Sequence, residues 1–339
     1  MKPFTSIRIS TVVRCVLVLA VLIAPQAVQA AAWQATAGAQ SSDMGRQALA
    51  FLANELWIHA GDSITWTFPT PEIHTVTFLK QNTTPQQVRP PRPGVPGGGC
   101  PGTTPDGSSF DGSTCVTSSE LVNGQTYTVN FPTAGNFKLV CLVHPSMTGA
   151  VHVLGLSEIL PHDQAFYNRE ADNERTELLS DGSRFEGRGT ATAARTSTDA
   201  VSTGIGEIVA TGGGAQMVSV VRFLPGTTVV RVGDTVEWTN LDPETPHTVT
   251  FGIDPANPVP PSAGVTVDSD GAEHAVLSSP GANVNSGFIV AARQDRTGLA
   301  QSPLGVTRFR VTFTSPGTFD YFCALHDDLG MVARVIVHP

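Results

Sequence analysis

The 339-residue chain is short of charge: 14% of its residues are ionisable as Asp, Glu, Lys or Arg, and the acids outnumber the bases by 29 to 20, leaving a net charge of −9. A nucleic-acid partner needs a basic surface, so this balance argues against one. Long apolar runs are also missing. The single candidate, Cys15–Ile23, is shorter than the roughly twenty residues that span hydrocarbon, and no second one follows. Methionine is scarce, at five residues, and no two of the nine histidines form a His-x-His pair. Flexible tracts rich in Met or His, which hold metals loosely, are therefore absent.

What the first thirty residues do contain is a secretory pattern. Lys2, Arg8 and Arg14 precede the apolar run, and Val28-Gln29-Ala30 offers small residues for cleavage. Residues 1–30 are read as a signal peptide, the location as periplasmic or secreted, and no stable membrane insertion is expected after cleavage. Loss of the leader moves the charge from −9 to −12, which is read chiefly as a solubility feature. Cys15 leaves with it, so four cysteines remain.

The chain repeats itself. Ala60-Gly61-Asp62-Ser63-Ile64-Thr65-Trp66 aligns with Val232-Gly233-Asp234-Thr235-Val236-Glu237-Trp238, and each is followed by Pro-Glu and then His-Thr-Val-Thr-Phe. Alternation within each copy marks half-buried strands, with Trp66 and Trp238 read as core packing. Gly, Pro, Asn and Asp punctuate the strands, and one segment alone, Asp163–Leu179, has helical character. The expected fold is mainly β: two tandem sandwiches over 31–154 and 203–339, joined by a partly helical linker over 155–202. That linker leaves room for relative domain motion. Lys80–Glu120 and Asp254–Gly287 are read as surface loops. Cys100 and Cys115 in the first are expected to form a disulfide worth about 3 kcal/mol in an oxidising compartment, with metal ligation as the alternative.

Chemistry concentrates near the end of each repeat. Cys141-x2-His144-x2-Met147 and Cys323-x2-His326-x4-Met331 both follow a Gly-x-aromatic stretch. One thiolate, two imidazoles and a weak thioether suit copper, with zinc the lesser alternative. The second imidazole must arrive from a distant strand, and His74 and His247 occupy matching places in the repeat. His59, His152, His162, His274 and His338 are read as ordinary surface or strand residues.

These motifs resemble those of the plastocyanin, amicyanin and pseudoazurin family of blue copper proteins, the cupredoxins, over most of both domains. The first loop resembles the short amicyanin type and the second the plastocyanin and pseudoazurin type. The first repeat departs from the family by carrying Leu139 two residues before its cysteine, where an aromatic is common. The resemblance implies Greek-key sandwiches and two mononuclear type 1 copper sites, held by His74, Cys141, His144 and Met147 and by His247, Cys323, His326 and Met331. It also implies a carrier of single electrons between donor and acceptor proteins. Electrons would leave through the ring edge of His144 or His326, which in the family lies near the surface. Asp327 and Asp328 beside His326 would favour basic partners at the second site, giving it the steeper salt dependence. Two rivals remain. A subunit of a multicopper oxidase or nitrite reductase system would need a histidine next to the ligand cysteine, yet Val140 and Leu142, and Phe322 and Ala324, stand there. The other rival is copper buffering or delivery.

Overall fold

The alternating stretches form strands whose burial alternates in step. Ser63–Phe68 and Arg308–Phe313 each present every second side chain to a core. Trp66 and Trp238 are fully buried, consistent with packing rather than an exposed role. The computed structural model describes residues 30–83, 100, 103–196, 199–292 and 305–339. The proposed leader, Lys2, Arg8, Arg14 and Cys15 included, and much of the Lys80–Glu120 insertion lie outside these. Within the insertion Cys100 and Cys115 are joined as a disulfide.

Each repeat is a β-sandwich, so the mainly β reading with two tandem domains is the fold observed. In the first, Ala32–Gln40 pairs antiparallel with Arg46–Leu52 and parallel with Ser63–Phe68, which pairs with Gln125–Asn130. The facing layer runs from Glu55–His59 through Thr148–Leu154 and Gly135–Val140 to Thr77–Phe78. The second repeat reproduces both layers. Ala200–Ala210 lies between Ala215–Leu224 and Thr235–Leu241, and Thr227–Arg231, Val332–His338, Gly317–Phe322 and Thr250–Phe251 form the opposite sheet.

Two features differ from the sequence reading. Helix α1 spans Gln164–Thr196, well past Leu179, and the first strand of the second repeat starts at Ala200, inside the stretch read as linker. The helix begins where Asp163 Oδ1 accepts the Phe166 N–H at 2.8 Å, an N-cap. Its second half is rich in glycine and serine and has poor intrinsic propensity. Packing overrides propensity there. Leu178, Gly182, Phe185 and Gly189 form one buried stripe against Ala48, Ala50, Leu52, Ile205, Val218 and Val220 of the sheet below. A Cβ at Gly182 would lie 2.9 Å from Val218, and one at Gly189 2.7 Å from Leu224, so the glycines let the helix sit close to the strands.

A further difference concerns the seam. Arg46–Leu52 pairs antiparallel with Ala215–Leu224, register Arg46↔Val220, Gln47↔Ser219, Ala48↔Val218 and Leu49↔Met217. One sheet therefore continues through both domains beneath α1, and the freedom to move that a flexible linker would confer is absent.

Glu174 on α1 faces this junction and accepts the Asn54 N–H at 3.1 Å. Burial outweighs that bond and, with the charges of Glu170 and Glu177, pushes its carboxyl up to about 7. A raised folded-state value means that stability from this group is complete below the unfolded value near 4.5 and is lost as pH rises through 7. Glu174→Gln keeps the acceptor and removes the charge. We expect it to stabilise the protein by about 1–2 kcal/mol at pH 8 and by almost nothing at pH 4, a difference that thermal melts at the two pH values would read directly.

Candidate metal centres

Sheet pairing assembles each site. Thr77 is the register partner of Val140, so His74, three residues before Thr77, comes to lie beside Cys141 at the end of the neighbouring strand. Thr250 partners Phe322 and brings His247 beside Cys323 in the same way. The His-Thr-Val-Thr repeat locks this arrangement. Thr75 N–H points at Cys141 Sγ at 3.4 Å while its hydroxyl accepts the Leu142 N–H at 2.8 Å. Thr248 does the same for Cys323, at 3.3 Å, and Ala324, at 2.8 Å. Met147 and Met331 are fully buried, and their carbonyls accept the cysteine N–H groups at 2.9 and 3.0 Å, closing each loop.

The structure thus brings together His74, Cys141 and His144 in one domain and His247, Cys323 and His326 in the other, with donor atoms within 4.8 Å of one another and all six residues buried. In the second group His247 Nδ1, His326 Nδ1 and Cys323 Sγ form a triangle with edges of 3.2, 3.4 and 3.8 Å. An ion at its centre would lie about 2.0 Å from each corner, a metal–imidazole bond length. The donors of the first group include the buried His74 Nδ1, which has no hydrogen-bond partner, and Cys141 Sγ stands 3.8 Å from His144 Nδ1. Buried polar atoms without partners are costly unless something binds them.

Electrostatics complete the donor set. Burial favours the thiol, but the hydrogen bond of His144 and the charges of His144 and His74 hold Cys141 well below the ordinary thiol range. At Cys323 burial is likewise outweighed, by the charge of His326 and the hydrogen bonds of both histidines. Thiolate is the form that ligates a metal. No third group of this kind occurs among the described residues. His152 and His274 bond instead to Glu55 and Asn136 and to Asp268 and Thr312.

One expectation is corrected. The outward histidines do not open to solvent: His144 is 3% exposed and His326 5%. The seam packs the two ligand loops face to face around a cavity of about 210 Å³ lined by Val143, His144, Leu325 and His326. Glu72 lies between them, with Oε1 3.2 Å from His144 Nε2 and Oε2 3.9 Å from His326 Nε2. Its burial would raise its pKa, but the hydrogen bond from His144 and the charges of both histidines hold it well below the carboxylate range. Its counterpart in the second repeat, Glu244, accepts instead the backbone N–H of Ser146 at 2.7 Å and the Ser146 hydroxyl.

Four residues of this environment have no role in the sequence reading: Glu72, Glu244, Gly38 and Gly204. The Pro-Glu step before each histidine is visible in the repeat and signals the first two. The glycines sit at positive φ, +79° and +75°, where the first strand of each domain bulges, and their backbones floor the rings of His74 and His247.

The family described as copper binding proteins, plastocyanin/azurin family, matches residues 39–154 and 209–338. Similar solved structures include oxidised plastocyanin from Dryopteris crassirhizoma, at 19% identity over 41% of this chain and 99% of that one, TM-score 0.22. A purple cupredoxin from Nitrosopumilus maritimus matches at 22% identity over 41% and 98%, TM-score 0.20. Reduced auracyanin from Roseiflexus castenholzii matches at 14% over 37% and 98%, TM-score 0.24. The two donor groups, each with a methionine close in sequence, fit two type 1 copper sites.

Proposed function

We propose, from the premise that this chain belongs to the plastocyanin/azurin family of copper-binding proteins, that it is an extracytoplasmic blue copper protein carrying single electrons, with one site per domain. Copper would supply one-electron chemistry between its two oxidation states. The residues supply the rest. His74, Cys141 and His144, and their counterparts His247, Cys323 and His326, would hold copper through two imidazoles and one thiolate, and Met147 and Met331 would add a weak thioether. The observation that carries the reading is the buried triangle of two Nδ1 atoms and one Sγ, already spaced for an ion. A prebuilt site changes little on gaining or losing an electron, which favours fast transfer.

The Cys100–Cys115 disulfide supports an oxidising compartment, and no helix among the described residues is long and apolar enough to cross a membrane. Redox donor and acceptor proteins are the partners this reading requires. Asp327 and Asp328, both exposed, favour basic ones at the second domain. Val140 and Leu142, and Phe322 and Ala324, beside the cysteines speak against an oxidase or reductase reaction within this chain.

A spectroelectrochemical titration of the copper-loaded protein tests the proposal. We expect two blue centres by absorption and electron paramagnetic resonance, each reduced reversibly by one electron. Copper bound without reversible reduction would instead favour buffering or delivery.

A further inference from the structure

Copper sites that exchange electrons with outside partners usually need an edge near solvent, yet here both outward histidines are buried and face Glu72. A histidine bound to metal through Nδ1 carries its proton on Nε2 and donates it to an outer partner, which fixes the ring and tunes the metal. For His144 that partner is Glu72, whose Oε1 lies 3.2 Å from Nε2, and the other oxygen of the same carboxylate stands 3.9 Å from His326 Nε2. Glu72 is 9% exposed and comes from the loop that also delivers His74. Its two oxygens face opposite domains, one within hydrogen-bond reach of a ring and the other at ion-pair distance from the second. Glu244, which the repeat places in the matching position, is engaged with Ser146, so the bridge is single and asymmetric.

Resting on the carrier reading, we propose that Glu72 is the bridge through which the two copper sites exchange electrons, making the chain a two-centre conductor rather than two independent carriers. In the step one electron passes along His144, Glu72 and His326, oxidising one site and reducing the other; no bond forms or breaks, and both ring protons stay in place. The seam that joins the sheets holds the donor and acceptor ends at fixed separation, as such a path requires.

The test uses the full chain loaded with copper, together with Glu72→Gln and Glu72→Leu. Glutamine keeps the shape but turns an amide NH2 donor toward one of the two N–H groups, and leucine removes both acceptors. The centres are first assigned spectrally with single-site cysteine variants. A substoichiometric pulse of a one-electron reductant is then followed by the concentration-independent redistribution of the electron between them. We expect that phase to slow by about 10–100-fold in the variants while the copper content stays unchanged. In the reduced, diamagnetic protein, nuclear magnetic resonance should show exchange-protected ring N–H signals from both His144 and His326, both displaced in Glu72→Gln. Displacement of His144 alone, or an unchanged redistribution rate in Glu72→Leu with both sites filled, overturns the bridge. A wild-type protein without two blue centres would instead overturn the carrier reading.

Discussion

Gly38→Ala is expected to take the first domain's blue centre away and leave the second intact. Gly38 has φ +79°, and a Cβ placed there runs into the His74 ring, with Nε2 nearest and Cδ2 at 2.7 Å. The left-handed conformation costs a non-glycine residue about 1–2 kcal/mol, and overpacking a buried contact costs about 1–3 kcal/mol more. The ring has no slack to give, being fully buried with the His144 ring 5.0 Å away. The least costly relief is rotation of His74, which moves Nδ1 out of the donor set. Metal analysis should therefore fall from two coppers per chain to one, with the second centre's resonance unchanged. Gly204→Ala should produce the mirror result through His247, which meets the added Cβ in the same way. Two undisturbed centres in either variant would show that the glycine floor is not what fixes the histidine.

Cys323→Ser should have the larger effect on the metal itself. The thiolate is the soft, anionic corner of the triangle, and a hydroxyl in the same place stays protonated and binds copper poorly. One of the two intense visible bands should disappear, and affinity at that site should fall by more than about 100-fold. Removal of copper supplies a second readout. A ligand held at about a thousandfold above its dissociation constant stabilises the folded state by about 4 kcal/mol. Chelation should thus lower the wild-type melting temperature through both sites, but in Cys323→Ser only through the first. Equal losses on chelation in the two proteins would mean that copper binds elsewhere.

All eight proposed ligands can be named from the sequence because each lies in a repeated motif whose residue types have few other joint uses. The strands are legible for a similar reason, since alternation such as Ser63–Phe68 encodes its own burial. Helix α1 beyond Leu179 is not, because its glycines oppose helix locally and are explained only by the strands they lie against. Glu72 shows the same limit at the site. Pro-Glu before the histidine is visible in both repeats, but nothing local tells that one carboxylate meets histidines of both domains while the other meets Ser146. The buried position of His144 and His326 is likewise a property of the seam, formed by residues far from either motif. The expectation of an exposed histidine edge, which comes from the family resemblance, misses it.

The register at that seam carries a further meaning. Aligning Trp66 with Trp238 matches Arg46 to Val218 and Ala48 to Val220, and the pairs observed are Arg46 with Val220 and Ala48 with Val218. Arg46 thus meets the counterpart of Ala48 and Ala48 the counterpart of Arg46, with Gln47 and Ser219 on the axis. This is isologous, two-fold contact, the geometry by which two identical subunits associate. The chain has the internal organisation of a homodimer written as one polypeptide, and tethering makes the encounter of its halves independent of protein concentration. Identical halves would be bound to keep their two sites alike. Joined in one chain they are free to diverge, as the unequal ligand loops and the different partners of Glu72 and Glu244 already have.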